Sequence, residues 1–90
     1  MEISYDAEKR ERTLRERGLD FEDAVQVFAG TILTIEDDRR DYGETRFQTM
    51  GLLNERLVML VWTPRGRARH IISMRKANDR EKKKYRAQLE

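Results

Sequence analysis

His70-Ile71-Ile72-Ser73-Met74-Arg75-Lys76-Ala77-Asn78-Asp79-Arg80-Glu81 is the stretch of this 90-residue chain that decides the fold. Its first half has the β-branched and apolar residues of a strand, which we predict over Arg69 to Met74. Asn78 follows as a helix N-cap, and Glu81 three residues later completes a pair of the capping-box type. The stretch therefore predicts a strand that runs directly into a C-terminal helix.

Two further helices are predicted near the N-terminus, each bounded by residues that start or end helices. The first spans Ala7 to Arg17, with Asp6 as its N-cap and Gly18 as the left-handed residue that ends it. The second begins after Asp20 and ends near Gly30. The apolar residues of the second helix recur at the spacing of one helix face, so we expect it to be the main core helix. The first helix has only a thin apolar face.

Strand patterns occupy the middle of the chain. After a brief strand at Ile3 and Tyr5, they cover three stretches: Thr31 to Ile35, Thr45 to Leu52 and Leu57 to Trp62. The last of these is apolar on both faces, which is typical of the centre of a sheet. We therefore predict one α+β domain over residues 1–90, with two N-terminal helices, an antiparallel four-stranded β-meander and a C-terminal helix.

The charge is distributed unevenly along the chain. The segment from Arg65 to Glu90 has ten basic and three acidic residues, whereas the remainder has nine basic and fourteen acidic residues. A basic end on an otherwise acidic small protein favours a surface that binds a polyanion, most often nucleic acid. The alternative is a solvated helix whose charges only maintain solubility.

Composition excludes several kinds of site. The chain has no cysteine and one histidine, so disulfides, thiolate metal sites and a histidine metal cluster are not expected. Paired carboxylates in Glu36-Asp37-Asp38 could hold a divalent cation, but the arginines that follow would compete for them. We expect no metal and no cofactor. The apolar runs are too short to span a bilayer and no secretory signal is present, so the expected location is the cytoplasm, without membrane association.

Candidate chemistry is concentrated at the end of the last strand and in the helix that follows. Alternation along the strand predicts that Arg69 and Arg75 share one face, where guanidinium groups can bind phosphate oxygens in bidentate fashion. Glu81 beside such arginines is a possible general base, and His70 titrates near neutrality and could transfer protons. We predict Arg75, Glu81 and His70 as catalytic residues.

Seven side chains are predicted to contact the polyanion: Arg69, Lys76, Arg80, Lys82, Lys83, Lys84 and Tyr85. The run of lysines provides electrostatic attraction rather than specificity. Structural roles stay open for three of the candidates. Glu81 could be a helix cap only, Tyr85 could pack the helix on the sheet, and His70 could be a partly buried structural residue.

Three stretches resemble the BrnT-type toxins, the ribonucleases of bacterial type II toxin–antitoxin pairs: Gly18-Leu19-Asp20-Phe21-Glu22-Asp23-Ala24, Glu44-Thr45-Arg46-Phe47 and Ile71-Ile72-Ser73-Met74-Arg75-Lys76-Ala77. The resemblance implies a fold similar to the RelE/ParE group. It also implies RNA as the substrate, cleaved without a metal when the ribose 2′-hydroxyl attacks the adjacent phosphate and leaves a cyclic phosphate. Translation would be inhibited as a result.

The same resemblance implies a partner. A cognate BrnA-like antitoxin with a ribbon-helix-helix DNA-binding part would form a hetero-oligomer with the toxin and cover its basic site. Operator DNA would be bound only through this antitoxin.

The sequence departs from the family pattern in the first helix. Family members commonly have an asparagine where Thr13 stands and a Lys-His pair where this chain has Glu16-Arg17. This replacement favours the alternative function, a non-catalytic module with the toxin fold that binds RNA or acts as a corepressor.

Overall fold

The computed structural model describes residues 1–89 of the chain. This part contains five strands, three α-helices and one 3-10 turn. In chain order they are β1 (Glu2–Tyr5), α1 (Ala7–Arg17), the 3-10 turn (Phe21–Asp23), α2 (Ala24–Ala29), β2 (Leu33–Glu36), β3 (Phe47–Leu53), β4 (Arg56–Arg65), β5 (Ala68–Lys76) and α3 (Asp79–Leu89).

The strands form one mixed sheet in the order β1-β5-β4-β3-β2. Strands β2 to β5 are antiparallel neighbours, but β1 lies parallel to β5, from Glu2 opposite Ala68 to Tyr5 opposite Ile71. The predicted fold class is therefore wrong, because the sheet has five strands rather than four and is mixed rather than antiparallel. The alternation of a four-residue strand does not indicate its partner or its direction.

The second predicted helix is also wrong in form. Asp20 accepts a hydrogen bond from the Glu22 amide and starts the 3-10 turn, and α2 follows with six residues only. The predicted core face consisted of Phe21, Ala24, Val25 and Phe28, but a 3-10 turn has about three residues per turn rather than 3.6, so the face is rotated. Val27 is buried in place of Val25, which is exposed.

The two faces of the sheet are covered differently. The 3-10 turn and α2 pack on one face, where Phe21, Val27 and Leu60 belong to the larger hydrophobic cluster. On the other face α3 contributes Tyr85 to a smaller cluster with Met59. Helix α1 buries no residue and lies beside β5. Within residues 1–89, no helix is long and apolar enough to cross a membrane.

A β-bulge interrupts the pairing of β4 with β5. Val61 lies opposite Ser73 and Trp62 lies opposite Ile71, so Ile72 is the extra residue of β5. A bulge shifts the alternation of all residues beyond it. Ile71 and Met74 therefore both belong to the larger cluster, although they are three residues apart.

Because of the bulge, Arg69 and Arg75 do not lie on one face of the sheet, although the alternation of β5 predicted that they would. The guanidinium carbon of Arg69 lies 4.3 Å from the ring centroid of Phe28 and 5.0 Å from that of Trp62, both in the larger cluster. Arg75 pairs with Met59, which belongs to the smaller cluster on the other face. The two arginines do not share a face.

Candidate functional site

Helix α1 and strand β5 enclose a small cleft at the edge of the sheet. The chain passes from β1 into α1 and continues beside β5, beyond Ile71, the last residue of β5 that β1 pairs with. Asp6 caps the helix by accepting a hydrogen bond from the Lys9 amide at 3.1 Å. At the other end, Nη1 of Arg17 donates to the carbonyl oxygen of Met74 at 2.8 Å. The Arg17 bond joins the C-terminal end of the helix to the part of β5 that β1 leaves unpaired.

The cleft is polar, cationic and about 150 Å³ in volume. Its wall and floor are formed by seven residues: Lys9, Arg12, Thr13, Glu16, Arg17, Ile72 and Ser73. Three of them are cations and one is an acid. The bulge explains the floor, because it turns the consecutive residues Ile72 and Ser73 toward the same cleft.

The sequence prediction missed the residues that α1 contributes to the cleft. They recur at intervals of three and four residues, which is the spacing of a single helix face. A helix face that meets a sheet normally carries apolar residues, but this face of α1 is polar. Leu14, the leucine of the helix, is 44% exposed instead of packing on the sheet. The polar periodicity was the signal that could have identified the cleft.

His70 lies on β5 two residues before Ile72 and is not one of the residues that line the cleft. Its Nδ1 atom is hydrogen-bonded to the Oγ atom of Ser4 at 2.9 Å, across the parallel pairing of β1 with β5. Burial lowers the pKa of the imidazole from its ordinary value of 6.5, and the charges of Arg65 and Lys9 lower it further. The imidazole is therefore predominantly neutral near pH 7 and can accept a proton.

Arg75 lies two residues beyond Ser73 and is joined to Glu81 at the start of α3. Its Nη1 and Nη2 atoms donate to the two carboxylate oxygens of Glu81 at 2.8 and 2.7 Å. Glu81 also accepts from the Asn78 amide at 2.9 Å, and the Asn78 side chain accepts from the Glu81 amide at 2.8 Å. The capping-box prediction is confirmed.

The ion pair changes the chemistry available to Glu81. The hydrogen bond from Arg75 lowers the pKa of the Glu81 carboxyl, and the same bond raises the pKa of Arg75. A carboxylate with a lowered pKa is a weaker base. The geometry therefore suits Glu81 to orienting the Arg75 guanidinium.

The structure does not bring the three predicted catalytic residues to one point. His70 and Arg75 are five residues apart on β5, with the bulge at Ile72 between them. Neither residue is among those that line the cleft.

The predicted polyanion contacts are divided between exposed and buried positions. Lys76, Arg80, Lys82, Lys83 and Lys84 are exposed. The Tyr85 side chain is 6% exposed, and its hydroxyl donates to the carbonyl oxygen of Thr31 at 2.7 Å. The structure therefore places Tyr85 in the smaller cluster, where it packs α3 on the sheet, rather than on the predicted binding surface.

In the acidic segment after β2, the Asp37 carboxylate forms an ion pair with Arg39. Arg39 donates to the two carboxylate oxygens of Asp37 at 2.6 and 2.8 Å, and these bonds lower the pKa of that carboxyl. Within residues 1–89, no group of three or more histidine, aspartate or glutamate residues is placed to hold a metal ion.

Comparison with known proteins connects this arrangement to a family. No curated protein gives a significant match to the chain. Residues 5–81 match the family described as the ribonuclease toxin BrnT of type II toxin–antitoxin systems. The matched segment contains every residue that lines the cleft, together with His70, Arg75 and Glu81. Because the match covers well over half of the sequence, the chain belongs to the BrnT family of ribonuclease toxins.

Proposed function

We propose that this protein is a metal-independent endoribonuclease that inhibits translation and that binds its RNA along the cleft between α1 and β5. The proposal rests on the residues that line this cleft. Lys9, Arg12 and Arg17 place three positive charges beside the hydroxyl groups of Thr13 and Ser73. Phosphate oxygens are bound by such charged donors and hydroxyls.

In the proposed reaction His70 is the general base. In the tautomer that carries its proton on Nδ1, His70 donates to the Ser4 hydroxyl oxygen 2.9 Å away, and its Nε2 atom can accept the proton of a ribose 2′-hydroxyl. The 2′ oxygen then attacks the adjacent phosphorus and the bond from phosphorus to the 5′ oxygen breaks. The products are a 2′,3′-cyclic phosphate and a 5′-hydroxyl end, which takes its proton from solvent.

The cations have two roles in this proposal. Lys9, which lies near enough to His70 to lower its pKa, stabilises the negative charge that develops on the phosphate. Arg75 binds a phosphate further along the strand, and Glu81 positions it for that contact. The exposed cations of α3 extend the positive surface and accelerate RNA capture without selecting a sequence.

The test is cleavage of a single-stranded RNA by the purified protein in excess EDTA, with the product ends identified. We expect cleavage that leaves cyclic phosphate ends, and a loss of about 10²–10⁴-fold when His70 is replaced by Gln. Ser4→Ala is the companion variant, expected to reduce the rate less. Cleavage that EDTA abolishes and magnesium restores would contradict the proposed mechanism.

A non-catalytic role is the second candidate, and one contact favours it. Arg17 stands where the family commonly has a histidine, and its Nη1 atom is bound to the Met74 carbonyl oxygen rather than free to act on a substrate. In that case the protein binds RNA through the same cleft without cutting it, or acts as a corepressor. RNA that is bound but intact, on ribosomes and off them, would identify this alternative.

The family also implies an antitoxin. We propose that this partner is a BrnA-like protein with a ribbon-helix-helix part and that the toxin reaches operator DNA only through it. Co-expression with the antitoxin should restore growth that the toxin alone slows. In a mobility-shift assay, operator DNA should bind the complex and should not bind the isolated toxin.

A further inference from the structure

A second and larger concavity lies away from the cleft, between α3 and the hairpin of β3 and β4. It encloses about 810 Å³. The apolar part of its lining consists of Leu52, Leu57, Ala77 and the Tyr85 ring. Leu52 is 51% exposed although it lies in a strand of the sheet. The groove is large enough to receive side chains of another molecule, and Leu52 presents an aliphatic side chain at its edge.

The rim of the groove is strongly cationic. It carries four basic side chains and one acid: Arg56, Lys76, Lys82, Arg86 and Glu55. Among residues 1–89, three of these cations have no ion-pair partner, and Lys82 has only a 3.9 Å contact with a carboxylate of Asp79 that is 99% exposed. Cations around a groove with apolar lining are complementary to a ligand with apolar side chains and flanking acids.

The floor distinguishes a protein ligand from RNA. Single-stranded RNA is held by stacking its bases on exposed aromatic rings. Tyr85 is the aromatic residue of the lining, and its side chain is 6% exposed with its hydroxyl bonded to the Thr31 carbonyl oxygen. Leu57 and Ala77 are buried to a similar degree, so the accessible apolar contact is Leu52, an aliphatic side chain of the kind that an amphipathic helix contacts in a groove.

We propose that this groove is the docking site for an acidic amphipathic segment of the antitoxin. Apolar side chains of the segment fill the floor at Leu52 and Leu57, and its carboxylates pair with Arg56 and Arg86. The inference rests on the antitoxin partnership proposed above, and it deepens that partnership by locating its anchor. The anchor is separate from the cleft, and Leu52, which carries no charge, can be changed to alter antitoxin binding without touching the α3 cations proposed to capture RNA.

The experiment measures binding of the purified cognate antitoxin by calorimetry and cleavage of RNA by the same toxin preparations. Leu52→Asp and the double variant Arg56→Glu/Arg86→Glu are the test proteins. Arg67→Glu, an exposed charge reversal in the turn between β4 and β5, is the matched control. We expect each test protein to bind the antitoxin at least about 30-fold more weakly, which is the size of an interface hot spot. The control should bind like the parent protein.

The outcomes separate this inference from the proposed function. Unchanged antitoxin affinity in the test proteins, measured on folded samples, overturns the groove as the anchor while the ribonuclease proposal stands. Lost antitoxin binding with no RNA cleavage even by the parent protein supports the groove and refutes the ribonuclease proposal. Test proteins that lose affinity for a single-stranded RNA oligonucleotide instead of the antitoxin show that the groove holds RNA, which also overturns the inference.

A synthetic peptide can test the groove without the whole antitoxin. A synthetic helical peptide with leucines on one face and flanking glutamates should bind the parent toxin. The same peptide with lysines in place of the glutamates should not bind. Equal binding of the two peptides would exclude charge complementarity as the basis of recognition.

Discussion

Arg75 and Glu81 are joined by two parallel hydrogen bonds of 2.8 and 2.7 Å that link the end of β5 to the first turn of α3. The Arg75 side chain is 41% exposed and that of Glu81 is 17% exposed. The pair is thus accessible at its cationic side and shielded at its anionic side. The same two residues fix the direction in which the strand passes into the helix and the direction in which the guanidinium points.

Replacing Glu81 by Gln should affect both roles of the pair. We expect the free energy of unfolding to fall by about 1–2 kcal/mol, because a charge-assisted bidentate bond and part of the capping box are removed. RNA cleavage should fall moderately, with a larger change in KM than in kcat, because Arg75 loses its orientation. Urea denaturation and steady-state kinetics measure the two effects. Asp79→Asn in the same turn, where the carboxylate is 99% exposed, is the control and should change neither. A fully active and fully stable Glu81→Gln protein would contradict both roles.

The buried carboxylate of Asp37 should make stability depend on pH. Arg39 lowers its pKa from an ordinary value near 3.8, so its contribution is complete above that pH and is lost as the pH falls through the lowered pKa. Asp37→Asn should therefore be less stable than the parent by about 1–3 kcal/mol at pH 7, with the difference shrinking at pH 3 and below. Thermal unfolding across this range measures it. Asp38→Asn, on an exposed neighbour, should follow the parent curve, and parallel curves for all three proteins would refute the argument.

Gly51 should not tolerate a methyl group. A Cβ atom there would lie 2.8 Å from a methyl carbon of Val27 and 3.0 Å from one of Ile32. Gly51→Ala should lower the free energy of unfolding by about 1–3 kcal/mol through overpacking of α2 against β3. Gly30→Ala is the control, since its nearest neighbour would be 3.7 Å away, and it should be neutral. Equal unfolding midpoints in denaturant for the two variants would show that the core adjusts without cost.

Replacing Glu55 by glycine should stabilise the protein. Asn54 and Glu55 form the two-residue turn between β3 and β4 with φ of 51° and 69°, a left-handed conformation that glycine adopts easily and glutamate does not. Glu55→Gly should raise the free energy of unfolding by up to about 1 kcal/mol. Glu55→Gln retains the strain and should leave stability near the parent value. A lower melting temperature for Glu55→Gly would show that the carboxylate itself stabilises the turn.

The cleft should determine how RNA affinity responds to salt. Lys9→Ala combined with Arg12→Ala should weaken RNA binding and flatten the plot of log affinity against log salt by roughly 0.7 for each phosphate that the variant no longer neutralises. Fluorescence anisotropy with a short RNA at several salt concentrations measures the slope. Arg15→Ala/Arg67→Ala removes the same charge from exposed positions outside the cleft and should leave the slope nearly unchanged. Equal slopes for both double variants would place the RNA elsewhere.

Local signals in the sequence predicted local structure well. Asp6, Gly18 and the pair of Asn78 with Glu81 mark the ends of helices where the structure has them, because capping depends on a few adjacent groups. The parallel pairing of β1 with β5 could not be predicted in this way. It joins residues 66 positions apart, and nothing in a four-residue strand specifies such a distant partner.

The candidate site was predicted in parts. The closing motif identified β5 and the start of α3, but the alternation rule failed at Ile72, because a bulge has no reliable signature in a single sequence. The face of α1 that lines the cleft was missing from the prediction, because a charged helix face is usually solvated. The pairing of β1 with β5, together with the Arg17–Met74 hydrogen bond, brings that face to the strand.

The parallel pairing of β1 with β5 has a consequence for the order in which the cleft assembles during synthesis. The cleft combines Lys9, near the start of the chain, with Ile72 and Ser73, near its end. Chains emerge from the ribosome with the N-terminus first, so α1 waits in the open until β5 has been made and released. A nascent chain cannot assemble the cleft while β5 is still inside the exit tunnel. Assembly of the cleft is therefore a late step of folding during synthesis, because both of its walls must first have left the ribosome.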